Sequence, residues 1–307
     1  MSRPVELGET VPAEGRYSLL EGTFLATRHT GRVSVQQVAP AGLAEVLGDR
    51  RWLVLTGAGV STDSGIPDYR GAGAPVRTPM TIQQFRSGHA ARQRYWARSF
   101  LGWGSMGTAL PNRTHHALAG LEDAGRLSGL ITQNVDGLHT AAGHRDLVEL
   151  HGRIDRVVCL DCGASSSRIS LQERLYALNR SFRATDLTVL PDGDVDLEAT
   201  AGFVVAGCES CGGTVKPDVV FFGESVPPER VARCTALVEE AEALVVLGSS
   251  LHVFSGRRFV KQAHARGIPV VIVNRGETRG DPFATVKVDA GCAETLAALV
   301  ETGLSPA

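Results

Sequence analysis

Between residues 131 and 163 the chain runs Ile-Thr-Gln-Asn-Val-Asp-Gly-Leu-His, later Leu-Val-Glu-Leu-His-Gly, and then Cys-Leu-Asp-Cys-Gly. Gln133, Asn134 and Asp136 follow directly on one apolar run, and His151 follows another. Burying such side chains without partners costs about 1 to 3 kcal/mol each. They are therefore expected to face a polar ligand. An imidazole with an unperturbed pKa of about 6.5 suits proton abstraction near neutrality. His151 is the candidate general base, against the ordinary reading of a lone histidine as structural.

Gly57-Ala58-Gly59-Val60-Ser61 also follows an apolar run. Its glycines would let the backbone approach a diphosphate, with free amides and Ser61 as donors. The third fingerprint glycine is not at its usual place, the next being Gly65, and a tight strand-to-helix turn is the competing reading. Gly65-Ile66-Pro67-Asp68-Tyr69-Arg70 would present Asp68 and Arg70 to one side; an ordinary surface loop with an ion pair is the alternative. Gly248-Ser249-Ser250 and Asn274 stand at two further apolar run ends.

Four of the six cysteines form two Cys-x-x-Cys-Gly knuckles, Cys159/Cys162 and Cys208/Cys211. Four thiolates at about 2.3 Å close a tetrahedral zinc site with no open position, which is structural. Such a site contributes about 10 to 16 kcal/mol to folding; a redox pair is the alternative. Tyr95 and Arg98 lie three residues apart and could share a helix face and clamp a carboxylate. The bland reading is a packed ring and a solvated guanidinium.

These groups need a frame. Arg51–Leu55, Leu130–Thr132, Leu147–Leu150, Val219–Phe222, Leu244–Leu247, Val270–Val273 and Val286–Val288 read as strands. Helical patterns cover Leu43–Leu47, 79–101 with Phe85, Tyr95, Trp96 and Phe100 for packing, 112–124 capped by Asn112, 228–241, 255–266 and a closing helix from Ala293. Continuous Val/Leu/Ile strands alternating with helices predict an α/β fold: a Rossmann-like parallel sheet with helices on both faces. Such sheets bind ligands at the carboxyl ends of their strands, where the polar groups above fall. Residues 153–215 read differently, as a smaller zinc-binding module with a helix at Leu171–Leu178 and a polar loop at Pro191–Asp194. The expected division is a weakly ordered arm over 1–40, a discontinuous Rossmann-like domain over 41–152 and 216–303, and the small module over 153–215. With 31 Lys and Arg against 33 Asp and Glu, no nucleic-acid partner is implied. No apolar run approaches the ~18 residues of a membrane span. Met1–Gly15 lacks a signal core, so a cytoplasmic location is expected. Cys234 and Cys292 read as buried apolar side chains.

In this order, Gly-Ala-Gly-Val-Ser, Gly-Ile-Pro-Asp-Tyr-Arg, Thr-Gln-Asn-Val-Asp-Gly-Leu-His, Leu-His-Gly, the cysteine pairs, Lys-Pro-Asp-Val-Val-Phe-Phe-Gly-Glu and Gly-Ser-Ser-Leu-His-Val resemble the sirtuin family of NAD-dependent protein lysine deacylases. The resemblance spans about Leu43 to Leu299. Arg92–Arg98, Cys159–Gly163, Leu171–Arg174 and Pro191–Val195 are similar to the class II, sirtuin-four type. It implies that residues from Gly57 to about Arg77 wrap NAD, with Ala58, Ile66, Asp68, Asn134 and Asp136 shaping the nicotinamide pocket. Gln133, Ser249, Ser250 and Asn274 would hold ribose and phosphate, and the backbone near Gly276 and Cys292 the adenine. Val220, Phe222, Gly223 and Glu224 would bind an acyl-lysine peptide by strand addition, and Tyr95 with Arg98 would favour acidic acyl chains. His151 would take a proton from a ribose hydroxyl, and the products would be free lysine, nicotinamide and an acyl-ADP-ribose. Mono-ADP-ribosyl transfer to protein, or a non-catalytic scaffold binding NAD or acyl-peptide, are the competing functions.

Overall fold

Trp52, Leu53, Val54, Leu55 and Thr56 form a strand in which every side chain is buried. Alternate residues serve two separate cores: Trp52 and Val54 face one, Leu53 and Leu55 the other. The same alternation recurs at Val245 against Val246 and at Val271 against Ile272. A strand apolar on both faces requires cover on both faces, and that requirement sets the architecture.

The computed structural model describes residues 36–39, 42–69, 79–183 and 200–301, all within one compact unit that begins at Val35. The expected arm (residues 36–39 apart), Arg70 to Arg77 and the 191–194 loop lie outside the described residues. In chain order the elements are β1 (Gln36–Gln37), α1 (Leu43–Leu47), β2 (Trp52–Thr56), α2 (Ile82–Arg86), α3 (His89–Met106), α4 (Arg113–Asp123), β3 (Leu127–Thr132), α5 (Leu138–Ala141), β4 (Leu147–Glu149) and β5 (Gly152–Cys159). Then come β6 (Ser165–Ser167), α6 (Arg168–Leu178), β7 (Val215–Val219), α7 (Pro228–Glu240), β8 (Ala243–Leu247), α8 (Phe254–Ala265), β9 (Val270–Val273), β10 (Val286–Val288) and α9 (Cys292–Glu301).

Seven strands form a sheet in the order β1-β10-β9-β8-β2-β3-β4, with every pair parallel. Leu43 and Leu47 of α1, Leu118 and Leu121 of α4, and Leu296 and Leu299 of α9 cover one face. Cys234, Leu237 and Val238 of α7, and Phe259, Val260 and Ala263 of α8, cover the other. This is the Rossmann-like arrangement expected from the sequence. The strand order reverses between β2, which continues to β3, and β8, which continues to β9. Ligand sites in open parallel sheets lie at that switch point. No helix among the described residues is long and apolar enough to cross a membrane.

A second, antiparallel sheet has the order β6-β5-β7. Here the structure differs from the sequence reading. Val219–Phe222 is not a strand of the large sheet; β7 ends at Val219 and pairs with β5. Beyond it Phe221 is buried with α2 and α3, and Phe222 makes only an isolated bridge to Thr81. The helix expected over 79–101 is two helices, because Thr81 caps α2 and the chain turns at Ser87-Gly88 before α3. The aromatic side chains of α2 and α3 pack against the small sheet. Phe85, Tyr95, Trp96 and Phe100 share a core with Val157, Leu171, Leu175 and Phe203. Arg168 is buried at this seam, its guanidinium 5.4 Å from the Trp96 ring and 4.7 Å from the Trp103 ring. Burial pushes its pKa down to about 10.

Behind the large sheet's ligand end lie three buried histidines. His115 is the N3 residue of α4, where Asn112 N donates to its Nδ1 at 3.2 Å. His139 lies 3.0 Å from the Thr56 hydroxyl, and His144 sits 2.7 Å from Glu122. Burial, then mutual repulsion, lowers His115 to about 4, and burial also lowers His139 and His144. A depressed folded pKa means that the unfolded chain binds more protons below pH 6.5. The fold therefore loses stability as pH falls from about 6.5 toward 4. For His115 alone the loss is about 2 to 3 kcal/mol by pH 4.5. Melting temperature is expected to fall steeply across this window, and a flat profile from pH 7 to 4.5 contradicts the burial of neutral imidazoles.

Candidate active site

The carboxyl ends of β2, β3, β8 and β9 open into a cavity of about 870 Å³, within the ordinary range for ligand pockets. Around it stand Gly57, Ala58, Gly59, Ser61, Ile66, Asp68 and Tyr69 from the first loop, and Gln133, Asn134, Asp136 and His151 from the β3 and β4 ends. Gly248, Ser249, Ser250 and Asn274 come from β8 and β9, and Val220, Phe222, Gly223 and Glu224 from the segment after β7. Tyr95 also lines the cavity, but Arg98, Gly276 and Cys292 do not.

The loops at the strand ends are tied to one another by side chains. Gln133 Nε2 donates to Thr56 O at 3.2 Å and to Ser249 Oγ at 2.9 Å, which joins β3 to β2 and β8. Asn134 Nδ2 donates to Gly57 O at 3.1 Å and to Ser61 Oγ at 3.0 Å. Ser61 in turn donates to Asp136 Oδ2 at 2.7 Å, while Leu138 N donates to Oδ1 at 2.9 Å. Burial pushes the Asp136 carboxyl up, and those two donations oppose the shift. The result is a set of polar groups that hold one another in place.

Gly57 and Gly59 have a reason visible within the fold. A Cβ on Gly57 would lie 2.7 Å from Ser249 Cβ, and one on Gly59 would lie 2.9 Å from Gly248 O. The two glycines let the β2 and β8 loops close on each other, and Gly59 N donates to Gly248 O at 2.9 Å.

His151 sits between the two sheets. Its Nδ1 is 2.8 Å from the Gln133 carbonyl and its Nε2 is 2.7 Å from the Ser255 hydroxyl. A carbonyl only accepts, so Nδ1 carries the proton and Nε2 presents its lone pair. Burial lowers the imidazole pKa, with Arg230 acting in the same direction. The ring is neutral near pH 7 and faces the cavity as a base.

On the peptide side the strand-addition reading narrows. Val220 N already donates to His151 O at 2.8 Å, and the Phe222 carbonyl accepts from Ile82 N at 3.0 Å. The Glu224 carboxylate turns inward, accepting from Phe221 N at 2.9 Å and from Lys216 Nζ at 3.1 Å. Phe222 is 39% exposed, and its ring lies 6.4 Å from that of Tyr69 at the mouth. The Tyr95 ring packs among Phe85, Trp96 and Phe221. Cys292, the first residue of α9, is buried in the core, which pushes its thiol up to about 12. Gly276 N donates to Asp289 Oδ1 at 3.0 Å.

Residues 251–255, to which the sequence assigns no site role, also line the cavity. Leu251 is the one non-glycine residue with positive φ among the described residues, at 53°. Its amide hydrogen-bonds to Ser249 Oγ at 3.3 Å. Leu251, His252 and Val253 belong to the Gly-Ser-Ser-Leu-His-Val stretch that follows β8.

The four cysteines of the knuckles converge. Their sulfur atoms all lie within 4.8 Å of one another, with Cys159 to Cys211 at 3.6 Å and Cys162 to Cys208 at 3.8 Å. A tetrahedron with metal–sulfur bonds of about 2.3 Å has edges of about 3.8 Å. The donor set and its spacing thus fit a tetrahedral thiolate metal site. Gly163 and Gly212, at φ 74° and 73°, make the knuckle turns.

Residues 57–255 match the model of the Sir2 family. The chain is 56% identical over 269 residues to NAD-dependent protein deacetylase 1 of Mycobacterium avium, covering 86% of this chain and 95% of the relative. It is 54% identical over 252 residues to NAD-dependent protein deacetylase 1 of Streptomyces coelicolor, covering 81% and 84%. Among solved structures it is similar to a Sir2 protein with p53 peptide and NAD+, with a TM-score of 0.69, 30% identity, and coverage of 85% of this chain and 97% of that one. A Sir2 protein bound to acetylated peptide gives a TM-score of 0.69 at 28% identity, covering 87% and 99%.

Proposed function

Because this chain belongs to the Sir2 family, we infer that it is an NAD-dependent protein lysine deacylase acting on acetyl-lysine in protein substrates. The observation that carries the reading is the placement of a neutral imidazole, His151, in one cavity with the Asn134–Ser61–Asp136 network and the glycine loops of β2 and β8. NAD, when bound, supplies a nicotinamide leaving group and a ribose carbon that accepts the acyl oxygen.

The chain's own residues supply the rest. Asn134, Ser61 and Asp136 form a pre-ordered polar wall suited to the nicotinamide amide and adjoining ribose. Gln133, Ser249 and Ser250 offer groups for ribose and phosphate at the switch point. Ile66, Met106, Ile154 and Val219 give the cavity an apolar side suited to a lysine stem and acyl chain. His151 Nε2 is the lone pair available to take a proton from a ribose hydroxyl, and the Gln133 carbonyl holds the ring in that tautomer. Excluding water matters, because an activated ribose carbon is readily lost to hydrolysis.

Two finer assignments are part of the same proposal. The Cys159/Cys162/Cys208/Cys211 site is assigned to one structural zinc ion, on donor chemistry and spacing. Membership of the class II, sirtuin-four type rests on the local stretches 92–98, 159–163 and 171–174. The carboxylate clamp finds less support: Tyr95 reaches the cavity wall and Arg98 does not.

Nicotinamide release from NAD, measured across a panel of acyl-lysine peptides, tests the reading. Release is expected to require both NAD and an acyl-peptide, with acetyl turned over. Arg98→Met is expected to leave the ratio of glutaryl to acetyl turnover unchanged. Release that is indifferent to the acyl-peptide contradicts the proposal.

A further inference from the structure

The partner of the His151 base is itself informative. Ser255 lies in the first turn of α8 and lines the same cavity as His151. Its Oγ is 2.7 Å from Nε2, the nitrogen that carries no proton. The arrangement is braced from behind. Gly256 lets α8 close on the side chain of Gln133, where a Cβ would lie 2.3 Å from Oε1. Gln133 is also the residue whose carbonyl holds Nδ1. One helix turn and one strand end therefore fix both nitrogens of the ring.

A hydroxyl can both donate and accept, unlike an amide N–H or a carbonyl. We propose that Ser255 is a positioning residue for the general base, serving His151 in both protonation states. While the ring is neutral, the Ser255 O–H donates to Nε2 and keeps its lone pair directed into the cavity. When the ribose hydroxyl of the co-substrate arrives, the Ser255 O–H rotates away and Nε2 takes the ribose proton. The ribose O–H bond breaks and the Nε2–H bond forms. Ser255 keeps its own proton and turns a lone pair to the new N–H. The inference rests on the deacylase reading above.

The surroundings make such an acceptor useful. Arg230 of α7 opposes a positive charge on His151, although it also pairs with Asp218 of β7 at 3.5 Å. Arg258 of α8 stands on the cavity wall, as do His252 and Arg275. Of the carboxylates there, Asp136 is held by Ser61 and Leu138, and Glu224 by Lys216 and Phe221. Asp68 and Glu277 also border the cavity. An imidazolium at this half-buried position has the Ser255 oxygen already within hydrogen-bonding distance.

The test compares Ser255→Ala, Ser255→Thr and Ser255→Cys with the wild type. Hydrogen bonds to a charged partner are about twice as strong as neutral ones. Losing the hydroxyl therefore disfavours the imidazolium more than the neutral ring. In the protein without substrate or co-substrate, nitrogen NMR of labelled histidine is expected to show His151 titrating about half to one pH unit lower in Ser255→Ala. The acid limb of kcat/KM should move in the same direction. At neutral pH kcat should fall about three- to tenfold, with KM little changed. Ser255→Thr should restore both readouts, and Ser255→Cys, with its weak S–H, should fall between. An unchanged His151 titration in Ser255→Ala, or Ala and Thr variants that behave alike, overturns the proposal. Because the titration is read without turnover, its failure is distinct from a failure of the deacylase reading, which would appear as no acyl loss with the wild type.

Discussion

His151→Ala is expected to lower kcat for deacylation by about a hundred- to ten-thousandfold, the usual range for a positioned general base. Melting temperature and NAD binding should stay close to wild type. The reason is local. His151's side-chain hydrogen bonds go to one carbonyl and one hydroxyl, and both partners lie at the cavity wall, where water can replace the ring. The main chain is held separately, by Val220 N donating to His151 O. Truncation thus removes the proton acceptor and leaves the β5–β7 pairing intact. Steady-state kinetics alongside a direct binding measurement separates the effects. A loss of less than about tenfold with intact folding would show that another group takes the proton.

Loss of the thiolate site should have a second, larger structural effect. Chelation, or Cys159→Ser with Cys211→Ser, is expected to release one zinc ion per chain and to abolish activity, although no cysteine of the site lines the cavity. Structural zinc contributes about 10 to 16 kcal/mol, comparable with the whole stability of a typical domain, about 5 to 15 kcal/mol. The consequence reaches the site through the strands. Cys159 closes β5, and the residue pair Gly152 and Val219 joins β5 to β7 beside His151. If the pins at Cys159 and Cys208 release, the segment carrying Val220 to Glu224 loses its anchor. Metal analysis, thermal melting and activity on the same samples check this. A metal-free double variant with wild-type melting and turnover would contradict the structural role.

The parts of the molecule that were legible in the sequence share a physical cause. β2, β8, β9 and the Gly129–Thr132 end of β3 are buried on both faces, so they read as apolar runs, and their polar exits marked the site: Gly57, Gln133, Gly248 and Asn274 all border the cavity. The cysteine pairs were legible because metal geometry constrains spacing. What escaped was decided by tertiary contacts. Val219–Phe222 has the apolar character of a core strand, yet Lys216, earlier in the same segment, sends its ammonium to Val219 O and Glu224, and the chain turns away from the sheet. Tyr95 and Arg98 have helical spacing, but Tyr95 is drawn into the aromatic core that α2 and α3 form against the small sheet. Ser255 carries no local signature, and nothing in the Gly-Ser-Ser-Leu-His-Val stretch marks Leu251 as left-handed. Their significance comes from the approach of α8 to His151, more than 100 positions away in the chain. The cluster of His115, His139 and His144 was likewise invisible, because its members are brought together only where α4 meets α5 and the turn after it.

The most direct measurement is the intact mass of an acetyl-lysine peptide after incubation with the protein and NAD. The account predicts a peptide that has lost its acetyl group, one nicotinamide released for each group lost, and no change when His151→Ala replaces the wild type. A peptide that keeps its acetyl group, or that gains the mass of ADP-ribose, would contradict it.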